Sequence, residues 1–322
     1  TRACGRFIES AHMSNTQKRA YHASASNEEK DVNAALKREF EQVQACTLPR
    51  ESIDSTCPEQ AAWTSELMSL SQKYRCLRPM PETFPRKGDP TLTIEEKDGL
   101  TERPPHRQYK TPRHLLPELE KFITEMLEKG WIEPSTSEYS SPVLIIPKPP
   151  PSTKYRFVVD LRAVNERTKR LTHYMPDLSA MFDKLKGARY ISTFDLAHGF
   201  WQAALDPKTA HRTAFTCEYG TFQYKVVPMG LLSSAQFFQS FVETKLNRHG
   251  ILYRKVHETS DMTDTYVDED GVRCRGFCGA YVDDLIVFSQ TAQDHRAHLI
   301  RLLEALSHEH LYLNIPKSHV FC

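Results

Sequence analysis

The sequence predicts an α+β fold, and three patterns carry that expectation. Short apolar runs of strand length, bounded by turn residues, recur from about residue 141 onward. Amphipathic helical stripes stand between them near 112–130, 233–247 and 292–310. Strand and helix patterns follow one another in mixed order, which argues against a strict βαβ repeat. With 322 residues, the chain has room for one large domain or two smaller ones.

Residues 1–104 are mostly polar and read as a poorly ordered or loosely packed N-terminal extension or linker. Short helices are expected near 27–44 and 60–74, and the Pro-rich stretch 78–90 interrupts any regular element. The folded domain is expected over 105–322. Its first helix, in "RHLLPELEKFITEMLEKG", places Leu115, Leu119, Phe122 or Ile123, and Met126 or Leu127 on one stripe. Gly130 stands where a helix-terminating glycine belongs. "SPVLIIPK" and "YRFVVDLR" read as two strands joined by a Pro-rich turn, and "RYISTFDL" as a strand ending on a carboxylate. "GTFQYKVVPMGL" leads into a helix from Ser233 to about Asn247. The helix after residue 291 sets Leu299, Leu302 or Leu303, and Leu306 on one side, and "LYLNI" follows as a short strand.

The net charge of +1 hides an uneven distribution. Residues 101–190 hold 16 Lys or Arg against 11 Asp or Glu, whereas 251–280 hold 4 against 6. A basic half beside an acidic centre suits a polyanion-binding surface, or else a solvated charged face. The eight cysteines are scattered, and no His/Cys pairs stand at zinc spacing, so reduced thiols inside a cell are expected. No run of 18 apolar residues and no signal peptide is present, so no membrane association is expected. A chain opening on Thr1 reads as a fragment or a processed piece.

"GAYVDDLIVFSQ" raises the functional question. Asp283 and Asp284 interrupt an apolar run, and ionised carboxylates there are costly unless something compensates them. Successive strand residues point to opposite faces, so a mid-strand pair would bury a charge. A tight turn between 279–282 and 285–289 removes that difficulty, and either an exposed turn or a cation site results. Asp195 ends another apolar strand. Three converging carboxylates repel unless cations neutralise them, and Mg²⁺ is the matching hard ion. A pair of such ions suits phosphoryl transfer. "TYVDEDGV", with Asp268, Glu269 and Asp270, is similar but lacks the following apolar run. Its Asp270-Gly271 dipeptide reads as an exposed acidic hairpin.

These blocks, in this order, resemble the reverse transcriptases of gypsy-type LTR retrotransposons over about residues 105–322. "EKGWIEPSTSEYSSPVLIIPK", "YRFVVDLRAVNERT", "ARYISTFDLAHGFWQAALDP", "HRTAFTCEYGTFQYKVVPMGLLSSAQFFQ" and "AYVDDLIVFSQTAQDHRAHL" carry the likeness. The resemblance implies right-hand fingers and palm, the palm a ferredoxin-like antiparallel sheet with helices on one face and the thumb missing. It implies RNA-directed DNA polymerase activity with two Mg²⁺ ions, Mn²⁺ being a substitute. Asp195, Asp283 and Asp284 would hold the metals. Lys148 and Arg156 would reach the dNTP triphosphate, where Arg can bind two oxygens at once. Phe200 would lie under the sugar and exclude a 2′-hydroxyl, or else be a core aromatic beside Trp201. Gly230, after Met229, would let backbone approach nucleotide or template. Lys317 would protonate the leaving pyrophosphate, or be a surface lysine. Asp160 and Arg162 would brace the fingers.

Met229 departs from the family's usual Phe or Gln, "HYMP" replaces Y-P-L-P, and an acidic insert occupies 254–276 as a solvent loop or a product of drift. The implied partners are an RNA or DNA template with primer, dNTPs, and the rest of a Pol polyprotein (thumb, RNase H, integrase) outside this chain. The implied setting is intracellular, in a cytoplasmic retroelement particle and the nucleus. The competing reading is a non-catalytic relic that keeps the fold and binds nucleic acid.

Overall fold

A computed structural model of the chain describes residues 70–80, 88–99, 108–148, 153–176, 185, 187–255, 265–267 and 273–320. Leu119, Ile123 and Met126 recur at helical spacing, and helix α1 (Leu116–Glu128) turns them into the interior. Phe122 is only partly buried and Leu127 is exposed, which settles both sequence alternatives. Gly130 takes φ 64° just past the helix end, the left-handed conformation expected of it.

Strand β1 is Thr91–Leu92. After α1, β2 (Ile132–Pro134) pairs antiparallel with β8 (Gly220–Tyr224), which pairs with β7 (Phe215–Cys217). Strands β3 (Val143–Pro147) and β4 (Tyr155–Val159) form an antiparallel hairpin. A short helix the sequence reading missed, α2 (Arg162–Arg167), follows it. Asp160 starts that helix by accepting the Arg162 N–H at 3.2 Å. The central sheet has the order β12-β13-β5, all antiparallel, from β5 (Tyr190–Asp195), β12 (Cys278–Tyr281) and β13 (Asp284–Ser289). Helices α3 (Ser234–Asn247) and α4 (Ala292–Glu309) pack on each other and on this sheet. Phe238, Phe241, Leu246, Leu299, Leu302 and Leu306 from the helices meet Leu285 and Val287 from β13 in one apolar core.

Three expectations need correction. The packed body does not begin at residue 105, because Tyr74, Cys76, Leu92 and Ile94 are core residues. Strand β1 pairs in parallel with β6 (Ala204–Leu205), and Asp89 meets Lys245 at 2.8 Å. A few apolar side chains in a polar stretch suffice, since each plugs into a core built elsewhere. The chain divides into Thr1–Pro58 and Glu59–Cys322, and every described residue lies in the second unit. "LYLNI" is not a strand. The N–H groups of Leu311, Tyr312, Leu313 and Asn314 go in turn to Leu306 O, Gln202 Oε1, Cys76 O and Asp195 O, so the segment spreads its bonds over several partners and makes a single bridge, Leu313 to Leu196. The 254–276 insert is more than a solvent loop. Strands β9 (Arg254–Lys255), β10 (Thr265–Val267) and β11 (Arg273–Arg275) form an antiparallel sheet, order β10-β11-β9. The expected hairpin is therefore present, although its turn lies outside the described residues. The insert's two ends are tied together by Phe277 N–H to Ile251 O at 2.9 Å and Tyr253 N–H to Cys278 O at 2.8 Å. Closed this way, added loop length costs little.

The helix expected at 27–44 lies outside the described residues; of the one expected at 60–74, residues 70–73 are helical. Cys76, Cys217 and Cys278 carry free thiols. Among the described residues, no helix is long and apolar enough to cross a membrane.

Candidate active site

Tyr281 pairs with Asp284 across the β12–β13 hairpin, leaving Val282 and Asp283 as its turn. The hairpin's neighbour, β5, is registered so that Asp195 faces Asp284. Leu196 N–H, one residue past Asp195, donates to Asp283 O at 2.8 Å. Strand register thus collects the three acidic residues at one end of the sheet. The turn falls on Val282 and Asp283 rather than on the two acids together, so Asp284 opens β13 instead of sharing the hairpin tip. Like charges placed opposite one another destabilise a sheet, so this arrangement is not explained by folding. Burial first, and then the charge of Asp195, pushes the Asp283 carboxyl above its ordinary range; Lys317 partly offsets this. Lys317 Nζ lies 3.2 Å from Asp195 Oδ2 while most of its side chain is exposed. It is both a surface lysine and a member of the acid cluster.

The turn is strained and held. Val282 has φ 54°, an outlier for a β-branched residue. Gln239, fully buried on α3, takes the Val282 N–H on Oε1 at 2.6 Å and donates from Nε2 to Ala280 O at 3.0 Å. Sequence reasoning missed this glutamine. Its signal was a polar residue between Phe238 and Phe241 on an otherwise apolar helix face. On the other side, Gly199 has φ 44°, and a Cβ there would sit 3.4 Å from Asp283 Oδ2. Glycine keeps that approach open. Phe200, next in the turn Gly199–Gln202, meets Phe238 edge-on with centroids 5.4 Å apart and stays partly exposed. Trp201 packs instead on Trp131, with centroids 4.4 Å apart.

The other expected residues lie outside this cluster. Arg156 stands opposite Ile146, and Lys148 N–H bonds Lys154 O, so alternation puts Lys148 and Arg156 on one exposed face of the β3–β4 hairpin. Arg162 grips Asp160 through Nε at 2.8 Å and Nη2 at 2.5 Å, which holds the Asp160 carboxyl below its usual range. Met229 is 57% exposed. Gly230 takes φ 87° with open space around it, so the backbone turn rather than crowding demands glycine. Asn165 on α2 fixes that loop, giving Nδ2–H to Gly230 O and taking Leu232 N–H, both at 2.8 Å.

Three carboxylates of which one is buried against another's charge, beside a lysine and an open glycine turn, fit hard divalent cations. Asp195, Asp283 and Asp284 would hold them.

Residues 146–322 match the family model of reverse transcriptases, RNA-dependent DNA polymerases. That is over half of the chain, and the chain belongs to this family. It is 34% identical over 203 residues to the enzymatic polyprotein of Figwort mosaic virus, covering 62% of this chain and 27% of that one. It is 32% identical over 216 residues to the retrovirus-related Pol polyprotein from transposon opus of Drosophila melanogaster, covering 66% and 19%. The chain thus spans about a quarter or less of these relatives. In fold it resembles a foamy viral protease-reverse transcriptase solved with an RNA/DNA hybrid, with TM-score 0.62, 23% identity, and coverage of 83% of this chain and 32% of that one. A second structure, of a form solved with double-stranded DNA, gives TM-score 0.64 at 22% identity, with 83% and 42% covered. These matches bear out the reverse transcriptase resemblance and the α+β polymerase fold; they include a virus and a transposon alike.

Proposed function

We propose that this chain carries out RNA-directed DNA synthesis, adding dNTPs to a primer 3′ end at Asp195, Asp283 and Asp284. The observation that carries this is the register setting Asp195 against Asp284, with Asp283 in the adjoining turn, at a sheet end where folding alone gains nothing from them. Two Mg²⁺ ions, or Mn²⁺ in their place, would stabilise the attacking and leaving oxygens when bound. The chain's own residues do the rest. Lys317, 3.2 Å from Asp195 Oδ2, stands where it would give a proton to the leaving pyrophosphate. Lys148 and Arg156 hold the triphosphate from the exposed hairpin face, with Arg156 able to take two oxygens. Phe200, braced on Phe238, stands under the sugar and rejects a 2′-hydroxyl. Asn165 sets the Met229 and Gly230 turn at which nucleotide and template are met.

The excess of Lys and Arg over 101–190 supports a template–primer partner, as do the nucleic-acid complexes of the structurally similar proteins. The five motif blocks support a gypsy-type LTR retroelement. In that reading thumb, RNase H and integrase lie elsewhere in a Pol polyprotein, and the work is done in a cytoplasmic particle and the nucleus. A non-catalytic relic is disfavoured by the retention of all three acids together with Gly199 and the Gln239 clamp.

The test is Mg²⁺-dependent extension of a DNA primer on an RNA template, by this chain and by a longer one continuing through a thumb. Extension that is weak, distributive and salt-sensitive here, and stronger in the longer chain, is expected. No extension by either would overturn the reading.

A further inference from the structure

The ends of α3 and α4 meet around a single carboxylate. Glu309, the last residue of α4, is 4% exposed. Its Oε1 lies 3.1 Å from His249 Nε2 and 3.5 Å from His308 Nδ1. Its Oε2 faces cations, Arg248 Nη1 at 3.1 Å and Lys245 Nζ at 3.7 Å. Lys245 also donates to Asp89 Oδ1 at 2.8 Å and to the Glu309 carbonyl at 2.9 Å. The two imidazole rings meet edge to face, centroids 5.2 Å apart. One nitrogen from each ring and one Glu309 oxygen all lie within 4.8 Å of one another.

We infer that His249, His308 and Glu309 form a second metal site, of two imidazoles and one carboxylate, that takes a transition ion such as Zn²⁺ rather than Mg²⁺. Spacing is the first argument. Zinc holds nitrogen and oxygen ligands at about 2.0–2.1 Å in a tetrahedron, so neighbouring ligand atoms stand about 3.3–3.4 Å apart. The observed 3.1 and 3.5 Å lie on either side of that value.

Charge is the second argument. Asp89 and Glu309 balance Lys245 and Arg248, so with neutral imidazoles the cluster carries no net charge. Both cations are engaged on Asp89, the Glu309 carbonyl and Oε2, which leaves Oε1 and the ring nitrogens to face one another. Arg248 on Oε2 also fixes the carboxylate to offer one oxygen, the support that outer partners give metal ligands. The ligands come from the C-terminal ends of two helices, where backbone dipoles favour a cation.

Ligand type is the third. Imidazole suits zinc and its neighbours, whereas oxygen-only sites suit magnesium, so this centre and the acids at the sheet end select different ions. His308 is 75% exposed, which leaves the ion open to water as a fourth ligand. Such an ion would staple α3 to α4 behind the sheet that carries Asp195 and Asp284. It stands or falls independently of the polymerase reading.

The test uses the full chain in millimolar Mg²⁺, which fills oxygen-only sites, titrated with Co²⁺ and then with Zn²⁺. The chain holds 14 His and 8 Cys, so the site must be told from other donors. One equivalent of Co²⁺ should give the visible absorption of a four-coordinate site without the near-ultraviolet thiolate band, and Zn²⁺ should displace it. His308→Ala removes an exposed side chain and so leaves the fold in place; it should weaken binding about tenfold or more. His310→Ala, whose ring partners Arg75, should bind as the parent does. Absence of binding, a thiolate band, or unchanged affinity in His308→Ala would overturn the assignment and leave polar contacts of the two rings with Glu309 as the account of the cluster.

Discussion

Replacing Gln239 by Met keeps the length of the side chain and removes its donor and its acceptor. In the parent, Gln239 is fully buried, and it takes the Val282 N–H at 2.6 Å and serves Ala280 O at 3.0 Å. Its Nε2 also reaches Glu243 Oε1 at 2.7 Å. Leaving the part-buried Val282 donor and the buried Ala280 acceptor unpaired costs about 1–3 kcal/mol each, so about 2–6 kcal/mol of stability should be lost. Val282 at φ 54° stores about 1–3 kcal/mol of strain that this clamp helps to oppose, so the turn should relax before the sheet opens. Asp283 then leaves its place beside Asp195. A displacement of about 1 Å is enough to slow extension by about 10–100-fold. Urea unfolding gives the stability, and single-turnover primer extension gives the rate. Val282→Gly removes the strain at its source, so Gln239→Met with Val282→Gly should regain part of the lost stability. If Gln239→Met stays within about 0.5 kcal/mol of the parent and extends normally, the clamp has no such role.

Three further outcomes follow from the same structure. Phe200→Val should raise ribonucleotide use far more than it lowers dNTP addition, at a cost of about 1–3 kcal/mol for the lost packing on Phe238; equal sugar discrimination before and after would remove the gate. Burial lowers the pKa of His295 to about 4, and its ring bonds Ser192 Oγ at 2.7 Å and Ser289 Oγ at 2.8 Å, with His298 sharing Ser289. The folded value lies below the unfolded one of about 6.5, so this stability is complete above pH 6.5. It is lost as pH falls toward 4, by up to about 1.4 kcal/mol per unit. His295→Gln should flatten that slope in urea unfolding between pH 7 and 4.5, and an unchanged slope would contradict the assignment. Lys245→Met should cost about 3–5 kcal/mol in the same assay, because Asp89 and Glu309 would lose a buried cation; a neutral result would mean the network contributes nothing.

Local patterns made most of the fold readable. Helix α1 was visible through Leu119, Ile123 and Met126, and its end through Gly130, because helical spacing and a left-handed glycine are written in consecutive residues. The acids were readable because a charge inside "AYVDDLIVF" conflicts with burial, and the conflict itself locates the site. What escaped depends on contacts between distant parts of the chain. Nothing in the polar run before residue 100 shows that Cys76 and Leu92 plug into the palm, since the cavity they fill is made by residues over a hundred positions later. Gln239 looked like an imperfection in an apolar face until the strained Val282 turn appeared beside it. His249 and His308 lie too far apart in sequence for any spacing rule, and only the meeting of two helix ends brings His249 to His308 and Glu309. The "LYLNI" segment has strand composition but spreads its backbone bonds over Leu306, Gln202, Ala197, Cys76 and Asp195, a choice no local pattern encodes.

The most direct measurement is the Mg²⁺-dependent extension rate of Asp283→Asn on a primed RNA template, taken alongside its melting temperature without metal. Asp283 is pushed toward protonation by burial and by Asp195, so removing its charge relieves repulsion in the metal-free protein. The account predicts loss of extension together with a melting temperature equal to or above the parent's. Near-normal extension by a folded Asp283→Asn would contradict it.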